Sequence, residues 1–272
     1  MWNLHTLSRV QKLELLGAGV LILCVLGLSL WYMATHKAPE PYALVPEETV
    51  VIPPAEPQTI REHAQYYDIE AAYPSETPLA VSAGTPADAK AIERMRDFVE
   101  ETIESFKREG NFASLTKEDI QIMGYEDGRK QALAIEYDEV LGPHTVSYVY
   151  TMYADTFGAH PNSFYRTFVF DAETGKELTL AELFAPRSGY LKRISEIARF
   201  ELQKKLGEDV DVSYMQQGTE PDAINFQTFV IEGDSLVFLF PPYQVGPYAL
   251  GPQSVSIPFA QLEDIVLPKY LP

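Results

Sequence analysis

Cysteine is nearly absent. The single Cys24 lies in an apolar N-terminal stretch, so no disulfide forms within the chain and no thiol nucleophile is available beyond that stretch. The five histidines (His5, His36, His63, His144, His160) never stand at the spacing of H-E-x-x-H or another short zinc motif, so no metal site and no cofactor is expected. G-x-S-x-G is missing, and so is any phosphate-binding glycine loop. Basic residues are scarce: 21 Lys and Arg stand against 39 Asp and Glu. Residues 1–37 hold three basic residues (Arg9, Lys12, Lys37) and one acidic residue (Glu14); without them, 18 basic residues face 38 acidic ones, a charge of −20. That balance argues against nucleic acid and anionic lipid head groups as partners. It suits a basic partner, and it equally suits plain solubility. Carboxylates are plentiful, but no pair stands out as a catalytic acid and base.

The chain has 272 residues, 46% of them hydrophobic, with 14 Phe and 16 Tyr, enough for one large domain or two small ones. Residues 15–34 carry no charge and match a ~30 Å hydrocarbon core as a helix. Trp31 and Tyr32 stand at an expected interfacial belt, and Arg9 with Lys12 favour an inside N-terminus. The competing reading is a cleaved signal peptide, but no small-x-small site closes the stretch. The expectation is a short cytoplasmic tail (1–14), a single-pass anchor in the cell membrane (15–34) and a Pro/Glu-rich spacer (35–62). An extracytoplasmic folded region follows, in two halves, 63–178 and 179–272.

Thr85-Pro86-Ala87-Asp88 is a helix start, and Ile92, Met95, Val99, Ile103 and Phe106 follow at helical spacing up to Gly110. Strands are expected over 131–139, 145–153 and 164–170, the second with the core stripe Tyr148, Tyr150, Met152. Thr179 and Glu182 form a capping box, and residues 189–206 make a second amphipathic helix closed by Gly207. Residues 226–231 and 235–240 form a hairpin around Gly233, and 255–259 is the last strand. The class is α+β: antiparallel sheet or sheets packed with two main amphipathic helices, preceded by one transmembrane helix.

Two loops draw attention. One is Gly158-Ala159-His160-Pro161-Asn162, where His160 either fixes the turn or contacts a ligand, and Asn162 caps the turn or joins it. The other follows Pro241-Pro242, with Tyr243, Gln244, Pro247 and Tyr248 between Gly246 and Gly251. Its tyrosines either pack on the sheet or form an exposed aromatic platform for a protein or a sugar.

Residues 145–184, where a tyrosine-rich strand runs into Gly-Ala-His-Pro-Asn and then Asp…Thr-Gly-Lys, resemble a bacterial family, as does Asn225 to Leu262. It is the extracytoplasmic family shared by the anti-sigma factor RsiV and the non-catalytic region of the peptidoglycan deacetylase PdaC. The likeness spans residues 64–267. It implies an exported α+β module that in the RsiV type binds lysozyme and in the PdaC type accompanies a separate catalytic domain. The chain departs from both. A tail of 14 residues is too short to hold a sigma factor, deacetylase histidines are missing, and Phe157 stands where the family often has a glycine. The expected function is a membrane-anchored binding module, not an enzyme, that contacts peptidoglycan or a basic wall-degrading protein such as lysozyme. The alternatives are an envelope hydrolase with an unrecognised carboxylate or histidine site, and a structural envelope module with no soluble ligand.

Overall fold

The computed structural model describes residues 56–79, 86–207 and 211–272. The expected tail and anchor, and most of the spacer, lie outside the described residues. No helix among the described residues is long and apolar enough to cross a membrane.

Strand β1 (Gln58–His63) and β2 (Tyr67–Tyr73) lead into helix α1 (Pro86–Gly110) and the short helix α2 (Lys117–Ile122). β3 (Gln131–Leu141), β4 (Thr145–Asp155) and β5 (Asn162–Asp171) follow. These five strands form one sheet in chain order. The second half holds α3 (Tyr190–Leu206), α4 (Val212–Gly218) and strands β6 (Phe229–Glu232), β7 (Ser235–Phe240) and β8 (Gln253–Pro258), which form a three-stranded antiparallel sheet. The α+β class and the largely antiparallel pairing agree with the sequence.

Three local features differ from it. β1 occupies part of the stretch read as spacer, where no alternation of apolar residues marks a strand. β2 pairs with β3 in parallel, which short connections had not suggested. The connection is long, because α1 crosses between the two strands, and a parallel pair needs such a crossover. Phe226, read as the first residue of a strand, instead ends a 3-10 turn (Ala223–Phe226) capped by Asp222, and the strand begins at Phe229.

Each sheet has its own core. Met95, Val99, Ile103 and Phe106 of α1 are buried against Ile69, Leu133, Ile135, Tyr148, Tyr150, Phe168 and Phe170. Ile194, Ala198 and Leu202 of α3 are buried with Phe226, Leu236, Phe238, Phe240 and Ile257. The two meet at β5: Phe168 and Phe170 belong to the first core, and Val169 between them belongs to the second. The Phe229 amide of β6 donates to Thr167 Oγ1 at 3.1 Å, tying the second sheet to the same strand.

The expected capping box is present. Glu182 accepts from the Thr179 amide and hydroxyl, both at 2.8 Å, and pairs with Lys176. Lys176, then Thr179, hold the Glu182 carboxyl down from an ordinary value of 4.5 to about 2. A depressed carboxylate stabilises the fold above its unfolded pKa, and that stabilisation is lost as pH falls through the folded value. The stability difference between the native chain and Glu182→Gln is therefore expected to shrink as pH drops from 4.5 to about 2, read from melting curves across that range. For the second core, Phe238→Ala is expected to cost about 3–5 kcal/mol in urea unfolding. Phe200→Ala, whose side chain is 65% exposed, is expected to stay within about 0.5 kcal/mol.

Candidate functional site

The two loops singled out in the sequence come together. His160 sits in the β4–β5 loop, Tyr243 and Tyr248 in the β7–β8 loop, and the imidazole Nε2 lies 2.9 Å from the Tyr243 hydroxyl, 83 residues away in the chain. His160 Nδ1 is 2.9 Å from the Pro161 carbonyl. A carbonyl only accepts, so Nδ1 carries a proton, and in the neutral ring Nε2 accepts from the tyrosine. The Tyr248 hydroxyl donates to the same carbonyl at 3.3 Å. The His160 and Tyr248 rings stack with centroids 3.7 Å apart and planes 18° apart, and Tyr243 lies 5.6 Å from Tyr248.

Backbone conformation sets this up. The β4–β5 loop begins with an Asp155 carboxylate accepting from the Phe157 amide at 3.0 Å. Phe157 has φ +64°, the left-handed region where glycine sits without penalty. Its ring compensates by packing on Tyr125, with Arg129 over its face at 4.0 Å. Tyr243 has φ +71° yet its residue is 50% exposed. A half-exposed tyrosine in this region costs about 1–2 kcal/mol that burial of its ring does not recover. Its contact to His160 is what the strained turn delivers.

Gln244 does different work. Its amide nitrogen donates to the Gly218 carbonyl at 3.0 Å and the Asn225 carbonyl at 2.8 Å, so both its hydrogens are taken by backbone. It pins the loop to the end of α4. The approach is close enough that a Cβ on Gly218 would fall 1.7 Å from the Gln244 carbonyl oxygen. Pro247 is exposed and precedes the 3-10 turn Tyr248–Leu250. Asn162 is exposed at the first position of β5, opposite Ala154.

The cluster is therefore His160, Tyr243 and Tyr248, with Gln244 as its brace. No carboxylate hydrogen-bonds His160 among the described residues, and its accepting nitrogen is held by a hydroxyl. Nothing in the sequence pairs position 160 with 243. The carbonyls of Pro161, Gly218 and Asn225, which hold the loops, leave no sequence signal, since every residue has a carbonyl.

Residues 181–260 match a family described as a protein of unknown function, DUF3298. That span includes the Tyr243–Tyr248 loop and stops short of His160. The chain is 26% identical over 257 residues to the peptidoglycan-N-acetylmuramic acid deacetylase PdaC of Bacillus subtilis, covering 93% of this chain and 50% of that protein. It is 28% identical over 123 residues to an esterase of Mycobacterium tuberculosis, covering 45% of this chain and 53% of that one. The chain thus spans about half the length of these curated relatives. A crystal structure of a DUF3298 family member from Bacteroides fragilis superposes with a TM-score of 0.55 at 19% identity, over 79% of this chain and 93% of that one. The fold is shared with that protein, and the likeness to PdaC agrees with the two motifs read from the sequence.

Tyr243→Ala and Tyr243→Gly remove the same ring and the same bond. At φ +71° the glycine variant is expected to be the more stable by about 1 kcal/mol, measured by urea unfolding of the full chain. Equal stabilities would mean that the backbone there carries no strain.

Proposed function

We propose that the chain is a membrane-anchored, extracytoplasmic binding module of the bacterial envelope. In this reading the cluster of His160, Tyr243 and Tyr248 makes the contact and performs no chemistry. The observation that carries it is a half-exposed tyrosine, held on strained backbone and hydrogen-bonded to a histidine from the other sheet. Such strain persists where a surface must be presented in one shape. A rigid aromatic surface loses little entropy on binding.

The similarity to PdaC supports a place at the wall, since that protein's name gives peptidoglycan as its substrate. The charge supports a basic partner. Asp97, Glu100, Glu101 and Glu104 lie along α1, where Arg96 pairs with Asp97 and Glu100 and Lys107 pairs with Glu104, so the attraction for a cationic protein such as lysozyme rests on the acidic excess of the chain as a whole. The proposed arrangement is residues 1–14 inside, residues 15–34 in the bilayer, and the acidic module outside.

A hydrolase is the second reading, favoured by the names of two relatives, a deacetylase and an esterase. In the cluster, His160 Nε2 could take a proton only after releasing Tyr243.

The test is calorimetry of the full chain in detergent with lysozyme and, separately, with soluble peptidoglycan fragments, at two salt concentrations. Saturable binding to either that is lost in Tyr243→Ala supports the module. Lysozyme binding is expected to weaken with salt. Binding to neither overturns it, and ester or amide hydrolysis abolished by His160→Ala would establish the hydrolase instead.

A further inference from the structure

A second concave surface shares no lining residue with the aromatic cluster. A cleft of about 580 Å³ opens between α1 and the turn that follows β5. Ala91 and Phe170 lie buried beneath its floor, Ala87 is partly exposed at its wall, and Lys90, Arg94 and Lys176 surround it together with Glu177. The size falls within the range of small-molecule pockets. The turn is pressed against the helix: a Cβ on Gly175 would fall 2.6 Å from Ala87 Cβ.

Its charge opposes that of the chain. Glu177 is shared by two arginines, Arg94 and Arg166, each at 3.4 Å. Both guanidinium groups also lie over the Phe168 ring, at 5.3 and 4.8 Å, so they are held in place before any ligand arrives. Lys176 pairs with Glu182, and Lys90 is exposed with no ion pair among the described residues. The lining thus holds three cations, Lys90, Arg94 and Lys176, against one carboxylate, Glu177, in a molecule where acidic residues outnumber basic ones almost two to one. Solubility does not call for a cationic cleft in an acidic protein, and stability gains little from exposed cations gathered at one place.

We infer that this cleft binds a small ligand with one anionic group, carboxylate or phosphate, on an apolar body. The anion lies between Lys90 and Arg94, and the apolar body lies against Ala87 and the aliphatic stems of the surrounding lysine and arginine side chains. Arginine in a fixed fork suits either oxyanion.

Calorimetry of the full chain in nonionic detergent and low chloride tests this with phenyl phosphate, benzoate and inorganic phosphate. Phenyl phosphate or benzoate is expected to bind saturably, and the tighter of the two tells whether the site is built for a phosphomonoester or a carboxylate. Inorganic phosphate is expected to bind roughly tenfold more weakly than phenyl phosphate, for lack of a ring to bury. Lys90→Glu is expected to weaken binding about tenfold, while Lys90→Arg and Tyr243→Ala keep it. The absence of saturable binding by both aryl probes overturns the inference, and so does a Lys90→Glu variant that binds like the native chain. Loss of binding in Tyr243→Ala overturns it too, by placing the probe at the aromatic cluster.

Discussion

One short stretch of β5 is buried on both faces, and both halves of the fold depend on it. Residues 167–171 alternate between two cores: Phe168 and Phe170 lie under α1, and Val169 lies with the three-stranded sheet and α3. A strand buried on both sides leaves its sheet no solvated face at that point. At its other end, from Asn162 to Arg166, the same strand is at least partly open to water, and the His160 loop leads into it there. The two-sided burial fixes the second sheet against the first. Only then do loops 83 residues apart meet with hydrogen-bond accuracy.

That seam has an imperfect polar record. The Thr167 hydroxyl is used by β6, but Thr145 and Ser147 on the neighbouring strand are buried with side-chain oxygens that meet no hydrogen-bond partner among the described residues. Each such group costs about 1–3 kcal/mol relative to a bonded one. The Tyr150 hydroxyl, inside the first core, is in the same position. Burial raises its pKa, as it raises that of Tyr148, so both stay neutral. The Tyr150 ring contacts Phe98 and Phe168 edge-on, and the Tyr148 hydroxyl donates to Glu139 at 3.0 Å.

Much of this was legible in the residues. The α1 stripe, the strand alternation in β3 to β5, the Thr179–Glu182 box and the hairpin at Gly233 all carry local signals that the fold obeys. β1 was not legible, because its Gln58–His63 run has a single large apolar side chain, Ile60, and its pairing comes from β2. The parallel β2–β3 pair was hidden because register between distant strands has no local mark. The two candidate loops were visible from their tyrosine, proline and glycine content. Their junction was not, since it depends on tertiary packing. Phe157 shows the converse. A sequence departure from glycine reads as a loss, but the structure keeps the left-handed backbone and covers its cost with ring contacts to Tyr125 and Arg129.

The junction between His160 and Tyr243 also has a mechanical side. One loop belongs to the sheet nearer the spacer, and the other to the sheet at the far end of the chain. A ligand gripping both rings would join the two sheets as a rivet does, and its binding energy would add to their cohesion by mass action. Force applied between the two sheets would be carried across that rivet, so that occupancy of the surface would become resistance to their being pulled apart.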